Sequence, residues 1–356
     1  LSRDARKNGD TEALHSVWRG QCNCPYWHGV FGGLYLRNIR AATHANLVRA
    51  ERLADEAAGL RGVRIEEGDV DYDGQRDVLV QSPDVSLLLH PEQGGMVSEF
   101  DLRRRDHALL DVLTRRREAY HEPLIAGTAG ASTEDLTNIH GGVRLKEAGL
   151  AEQLAFDRYR RGGLQEWILA AGERVERFAR GEAHALFEPA GAWSHDVACG
   201  EGGASITVAR ADAARRIEKR VEVPGSGERV TVTYHCTNTS GDPRSASFAS
   251  EWNVSAPQAP DGDDRLALLE APGVQLDAHH DVGALHADAI VVRGSAPWAM
   301  RCEIDAGADV WHYPVFTVSS SEGGLERVVQ GTSVSFVRAL DLASGETVTI
   351  RLAWSV

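Results

Sequence analysis

Apolar residues recur at two different periods along the 356 residues of the chain. Within 12–22, Leu14, Val17, Trp18 and Cys22 fall at helical spacing, which predicts the end of an amphipathic helix. Residues 34–57 keep that period. Leu36, Ile39, Leu47, Ala50 and Ala54 share a face that Thr43 interrupts, and Gly59 stands where a C-cap belongs. Between the two pieces, NCPYWHGVFGG at 23–33 breaks the helix with Pro and Gly, and its aromatics predict a packed junction. After Gly62 the period becomes two. VRIEE (63–67), DVLVQS (77–82), VSLLLH (85–90) and MVSEFDLR (96–103) read as strands joined by Gly, Pro or Asp turns. The stretch 104–165 is charged and irregular, which predicts long loops and a short helix near 144–158. Strands are expected to resume at about 174. They include 204–211, 216–223, 229–236, 246–255, 309–320, 332–340 and 346–356. So many strands behind one helical segment predict a mainly β protein, a large antiparallel β-sandwich, with a helical piece at 1–60 and the sandwich at 61–356.

Composition narrows the function classes. The chain is 42% hydrophobic and 25% charged, ordinary for a globular protein. A net charge of -14 repels nucleic acid phosphates and suits neutral sugars or cations. No apolar run is long enough for a membrane span. The first residue is Leu1 and the opening dozen residues are polar, with no signal peptide visible. The expectation is a fragment or trimmed chain working in the cytoplasm. Cys22, Cys24, Cys199, Cys236 and Cys302 are odd in number, and a C-x-C with His28 nearby falls short of a zinc pattern. Reduced thiols are therefore expected.

The sharpest local motif is GDVDYDGQRDV at 68–78. Asp69, Asp71, Asp73 and Asp77, with Gly74 at the turn, could curl oxygen ligands around a structural Ca²⁺. Val80 stands where an EF-hand carries Glu and the flanks are strand-like, so this is no EF-hand. An acidic β-turn explains the same residues. In PYWHG at 25–29, Tyr26 and Trp27 could stack on sugar rings and His28 could bond a hydroxyl, or the rings could be core aromatics of the junction. Glycoside hydrolysis needs two flanking carboxylates. Glu118, Glu251 and Glu322 are among many candidates, and no pairing is readable. No G-x-S-x-G elbow, P-loop or G-x-G-x-x-G occurs.

QCNCPYWHGVFGGLYL at 21–36 resembles the last shared stretch of the catalytic unit of glycoside hydrolase family 57, the α-amylases and 4-α-glucanotransferases, where members read close to QCNDAYWHG-x-FGG-x-YL. DVDYDGQRDVLV, HPEQGGMVSEFDLR, VLTRRREAYHE (112–122), SEWNVS (250–255) and WHYPVFTVSSSEGGLERVVQG (311–331) resemble later family stretches in the same order. The resemblance implies a parent about twice as long, whose N-terminal barrel carries a Glu nucleophile and an Asp general acid that map outside this chain. It also implies that Trp27, with Tyr26 and His28 beside it, reaches the sugar cleft. Cys24 and Pro25 depart from the family's Asp and Ala. The sandwich resembles the galactose-mutarotase-like supersandwich, a fold that does not by itself confer that activity.

The reading is therefore a non-catalytic C-terminal region of an α-glucan-active enzyme, with an α-glucan or maltooligosaccharide and the N-terminal catalytic barrel as partners. An apolar face near Leu14, Trp18 and Leu36 is expected to be exposed or covered in a homodimer. One rival is a mutarotase or epimerase in which His195 and Glu251 converge. A second is a calcium-stabilised carbohydrate-binding or interaction module.

Overall fold

The computed structural model describes residues 11–29, 31–128, 144–259, 262–263 and 265–356. Two helices lead, α1 (Thr11–Gly20) and α2 (Arg37–Ala57). The junction between them holds two 3-10 turns, Cys24–Tyr26 and Gly33–Tyr35. The helices pack closely because Gly20 has no side chain: a Cβ there would lie 2.5 Å from Leu47 Cδ2. Gly59, at φ +68°, ends α2 as the period predicts.

The first sheet is an antiparallel meander of β1 (Arg64–Gly68), β2 (Asp77–Gln81), β3 (Val85–His90), β4 (Met96–Leu102) and β5 (His107–Ala108). The second holds β6 (Gln165–Leu169), β7 (Ala185–Phe187), β8 (Ser194–Gly200), β9 (Gly203–Ala211), β10 (Arg215–Pro224), β11 (Val230–Asn238) and β12 (Arg244–Val254). It continues with β13 (Leu268–Ala271), β14 (Val274–Asp277), β15 (Gly283–Arg293), β16 (Ala299–Ser321), β17 (Gly324–Leu342) and β18 (Thr347–Ser355). Its order is β7-β6-β12-β17-β16-β18-β11-β10-β9-β8, with β15 and the β13–β14 pair branching from β16. The mainly β, antiparallel architecture behind a short helical segment is as the pattern predicts. Among the described residues no helix is long and apolar enough to cross a membrane.

Period-two alternation gives the large sheet two buried faces. Phe248, Trp252, Val254, Val334 and Phe336 point to one face. There they form the main core with Val78, Val80, Leu87, Leu89 and Phe100 of the first sheet. The intervening residues point the other way. Trp167, Ala249, Trp311, Tyr313 and Val337 build a second cluster, closed by Val175 and Phe178 of a short helix, α3 (Val175–Ala179). Register aligns them, with Ala249 opposite Trp167 and Val337, and Trp311 opposite Ser335.

Two expectations fail. No helix forms across the described residues 144–158. That stretch is a run of turns whose Leu150 packs with Leu124, Val318 and Leu325. Strands resume at Gln165 rather than near 174, where a helical turn stands instead.

The helical piece is tied to the sandwich by buried charge. Arg40 Nε donates to Asp111 Oδ1 at 2.5 Å, while its Nη1 donates to Leu34 O at 2.6 Å and to Gln330 Oε1 at 2.9 Å. Burial pushes the Asp111 carboxyl up, but Arg40 and nearby cations outweigh it and hold the group below the usual range. Arg103 donates to Asp55 on α2 at 2.5 Å and to Ser82 O at 2.7 Å, a second strap.

Candidate functional site

The junction 23–36 is held in shape by its glycines. Gly33 sits at φ +54°, and a Cβ there would lie 2.1 Å from Trp27 O, which accepts a hydrogen bond from Leu34 N at 3.0 Å. The chain thus folds back and presents Trp27 outward. Trp27, Tyr26 and Phe31 are 53%, 59% and 66% exposed, an aromatic shelf at the surface. Trp18 of α1 is also exposed, whereas Leu14 and Leu36 are half-buried, so of the expected apolar face only Trp18 is open.

The three sequence-predicted sugar contacts divide. Trp27 stands free on the shelf. Tyr26 exposes its ring, but its hydroxyl donates to Gly20 O at 2.5 Å. His28 is half-buried, donates from Nε2 to Ser320 O at 3.2 Å, and packs against Tyr120 at 4.9 Å and Tyr35 at 5.6 Å between ring centroids. Behind it Tyr35 donates to Glu118 Oε1 at 2.6 Å, and His121 donates to Val318 O at 2.7 Å. Burial, with Glu118 accepting its proton, pushes the Tyr35 hydroxyl far up, and burial pushes Tyr120 up to about 12. Both phenols stay neutral, and Tyr35 donates to Glu118. His28 therefore anchors the shelf to the 112–122 segment and to β16, with its Nε2 already in use.

In the Asp-rich turn, carboxylate oxygens of Asp69, Asp71 and Asp77 lie within 4.8 Å of one another, and Asp73 stands outside that group. Much of the acceptor capacity is taken. Asp77 accepts from His90 Nδ1 at 2.7 Å and from Val70 N at 2.9 Å; Asp69 accepts from Gly74 N; Asp73 accepts from Gln75 N and from Gln93. Arg160 donates to Asp71 at 3.1 Å, so a cation already faces the group. The turn satisfies itself as Asx turns do, and three of its four acids could converge on a hard cation.

His195 and Glu251 do not meet. His195, on β8, pairs with Glu67 at 3.2 Å. Glu251, on β12, is fully buried. It accepts from Tyr159 at 2.9 Å, Trp167 Nε1 at 3.0 Å, Ser333 at 3.1 Å, and Arg161, Asn253 and Tyr313 at 3.3 Å each. A carboxylate so saturated is fixed as an acceptor and unsuited to proton shuttling. The other buried acid of the sheet, Glu166, is held by Lys219 Nζ at 2.5 Å. Against that contact, burial still pushes Glu166 up to about 7. Asn253 and Tyr313 lie in stretches that carry the family resemblance, but nothing in the sequence groups them with Tyr159, Arg161, Trp167 and Ser333. They are drawn from five separate segments, and only the sheet register assembles them.

Residues 69–352 match the family model described as "Alpha-amylase/4-alpha-glucanotransferase, C-terminal", and residues 1–54 match the corresponding middle domain. The α-amylase 1 of Dictyoglomus thermophilum is 32% identical over 349 residues, 94% of this chain and 48% of its own length. The α-amylase of Pyrococcus furiosus is 30% identical over 335 residues, 94% of this chain and 45% of its own. The crystal structure of 4-alpha-glucanotransferase from Thermococcus litoralis superposes with a TM-score of 0.76 at 22% identity, covering 100% of this chain and 48% of that one. A galactose mutarotase-like protein from Clostridium acetobutylicum superposes more loosely, with a TM-score of 0.49 at 8% identity. The chain spans about half the length of the relatives it matches.

Proposed function

The chain belongs to the alpha-amylase/4-alpha-glucanotransferase family, and from that premise we propose that it is the non-catalytic C-terminal region of an α-glucan-active glycoside hydrolase family 57 enzyme. It braces an N-terminal catalytic barrel and lends Trp27 to the sugar cleft. The observation that carries this reading is the aromatic shelf. Three rings are more than half exposed on a segment whose backbone is pinned by Gly33 and whose rear is anchored by His28. An indole face so presented stacks on the apolar face of a glucose ring. Tyr26 and His28 act as its supports, and His28 holds the loop rather than the sugar.

Exposed apolar area around Trp18 and the shelf is the surface the catalytic barrel would cover; a second copy of the chain is the competing occupant, distinguished by sedimentation of the parent enzyme and of this chain. Chemistry by the sandwich itself is disfavoured by its buried acids, Glu251 and Glu166, each locked by protein donors. Five free cysteines fit a reducing cytoplasm. A structural Ca²⁺ would be held by Asp69, Asp71 and Asp77, displacing Arg160 from Asp71, and would tie the β1–β2 connection.

In the parent enzyme, Trp27→Ala is expected to raise KM for maltoheptaose by roughly tenfold, the worth of one aromatic stack. Unchanged kcat and KM in that variant would remove Trp27 from the cleft.

A further inference from the structure

The second buried face of the large sheet opens to solvent in a cavity of about 590 Å³, within the size range of small-molecule sites. Its walls are aromatic, with Phe156, Tyr159, Trp167, Phe178, Tyr313 and Phe316 among its lining. The rings brace one another: Tyr159 and Trp167 centroids lie 5.1 Å apart, Trp167 and Phe178 5.4 Å, Phe178 and Tyr313 6.4 Å. Their polar heads all turn inward, because Tyr159, Trp167 and Tyr313 each donate to Glu251 behind the wall. Trp167, Phe178 and Tyr313 are buried in the wall, and Phe156, Tyr159 and Phe316 are the more exposed rings of the lining.

The charges here are spent on each other. Arg161 donates twice to Asp157, at 2.7 and 2.8 Å, and Arg115 donates to the same carboxylate at 2.6 Å. Burial pushes Asp157 up, yet the two guanidinium groups bring it down to about 2. At the rim Arg158 faces Glu188 and Arg180 faces Glu182. An anion would have to break an ion pair to bind, and of the lining carboxylates Asp157 and Glu182 are already paired. Gln153 lines the cavity, its Oε1 buried and without a hydrogen-bond partner among the described residues, and the exposed Glu152 stands at the rim. Aromatic rings, charges paired except for the rim carboxylate of Glu152, and that carboxylate as an acceptor at the edge are features that bind a neutral polyhydroxylated ring. Its C–H face stacks while its hydroxyls donate to the rim.

We propose that this cavity is a second carbohydrate site, separate from the Trp27 shelf, which takes a segment of neutral α-glucan. The choice of α-glucan over other neutral sugars rests on the family reading given above. Glu251 serves here as a positioning residue, holding three of the wall rings from behind.

The test is calorimetric titration of the chain with maltoheptaose, using Trp27→Ala and Phe156→Ala variants and cellohexaose as the control sugar. Phe156 is 41% exposed, so its loss spares the core, which an unchanged thermal midpoint verifies. Saturable maltoheptaose binding is expected to survive Trp27→Ala and to weaken about tenfold in Phe156→Ala. Binding that Phe156→Ala leaves untouched overturns the proposal, and loss with Trp27→Ala alone would assign the sugar to the shelf, leaving the cleft reading intact. No binding by the unaltered chain at millimolar sugar also overturns it, without touching the cleft reading, which KM in the parent enzyme judges separately. Equal affinity for cellohexaose would overturn the α-glucan assignment.

Discussion

Replacing Arg40 with Met tests how the helical piece is joined to the sandwich. Arg40 is 5% exposed and Asp111 6% exposed, and the guanidinium serves three acceptors: Asp111, Leu34 O and Gln330 Oε1. Met fills most of the volume, so little cavity is made; the cost comes from a carboxylate left buried without its main partner. Breaking a buried pair from one side costs about 3–5 kcal/mol. His44, 3.8 Å from Asp111, recovers part of this, which favours the lower end. The sign with pH follows from Asp111. In the native protein its carboxyl is held low, so its stabilising contribution is present above the ordinary aspartate range and lost as pH falls through the native value. In Arg40→Met burial dominates and the carboxyl moves up, so the deficit should shrink as the solution is acidified toward pH 5. Urea unfolding followed by both far-ultraviolet circular dichroism and tryptophan fluorescence measures it. Arg40→Met with Asp111→Leu should recover most of the loss. A single-variant cost under about 1 kcal/mol, or an undiminished cost in the Asp111→Leu background, would refute the buried strap.

Three further outcomes are expected. Lys219→Met should destabilise by about 3–5 kcal/mol at pH 8, because without Lys219 burial pushes Glu166 further up and the folded protein must take up a proton that the unfolded chain does not hold there, and by less at pH 5, where that proton costs little; urea midpoints at the two values decide it. Burial lowers both His107 and His279 to about 4, so the unfolded chain takes up their protons first. Stability should accordingly fall between about pH 6.5 and 4, and a flat urea midpoint across that window would contradict it. Millimolar Ca²⁺ should raise the thermal midpoint by a few degrees and Asp71→Asn should abolish the gain; equal midpoints in Ca²⁺ and in chelator would leave the Asp-rich turn as a plain turn.

The strands read from the sequence are short apolar or β-branched runs bounded by turn residues. DVLVQS, VSLLLH and RVTVTYHC lie within a residue or two of β2, β3 and β11. Of these three only β11 alternates in burial over part of its length, while β2 and β3 are buried nearly throughout. What the sequence hides is a doubly buried strand that carries polar residues into the interior. QEWIL at β6 opens with two polar residues, and all five of its residues are buried. Glu166 faces Lys219 in the main core while Gln165 and Trp167 face the second cluster, so the local pattern has no outside to show. The Glu251 network is hidden for a related reason. Asp157, Arg161, Glu251 and Tyr313 are spread over more than 150 positions, and only the β6–β12–β17–β16 order unites them. The aromatics of the shelf read from the residues as a packed junction, whereas three of them stand exposed, and the divided duties of Tyr26 and His28 are hidden because their partners Gly20 O and Ser320 O are backbone atoms. The helix expected near 144–158 failed where tertiary packing of Leu150 took over a segment of middling propensity.

The central claim, that this region supports glucan chemistry performed elsewhere, is tested most directly by prolonged incubation of the purified chain with maltoheptaose and analysis of the oligosaccharides. No release and no redistribution is the predicted result. Clear turnover, abolished by one Asp or Glu substitution within the chain, would contradict the account and place an active site in the sandwich.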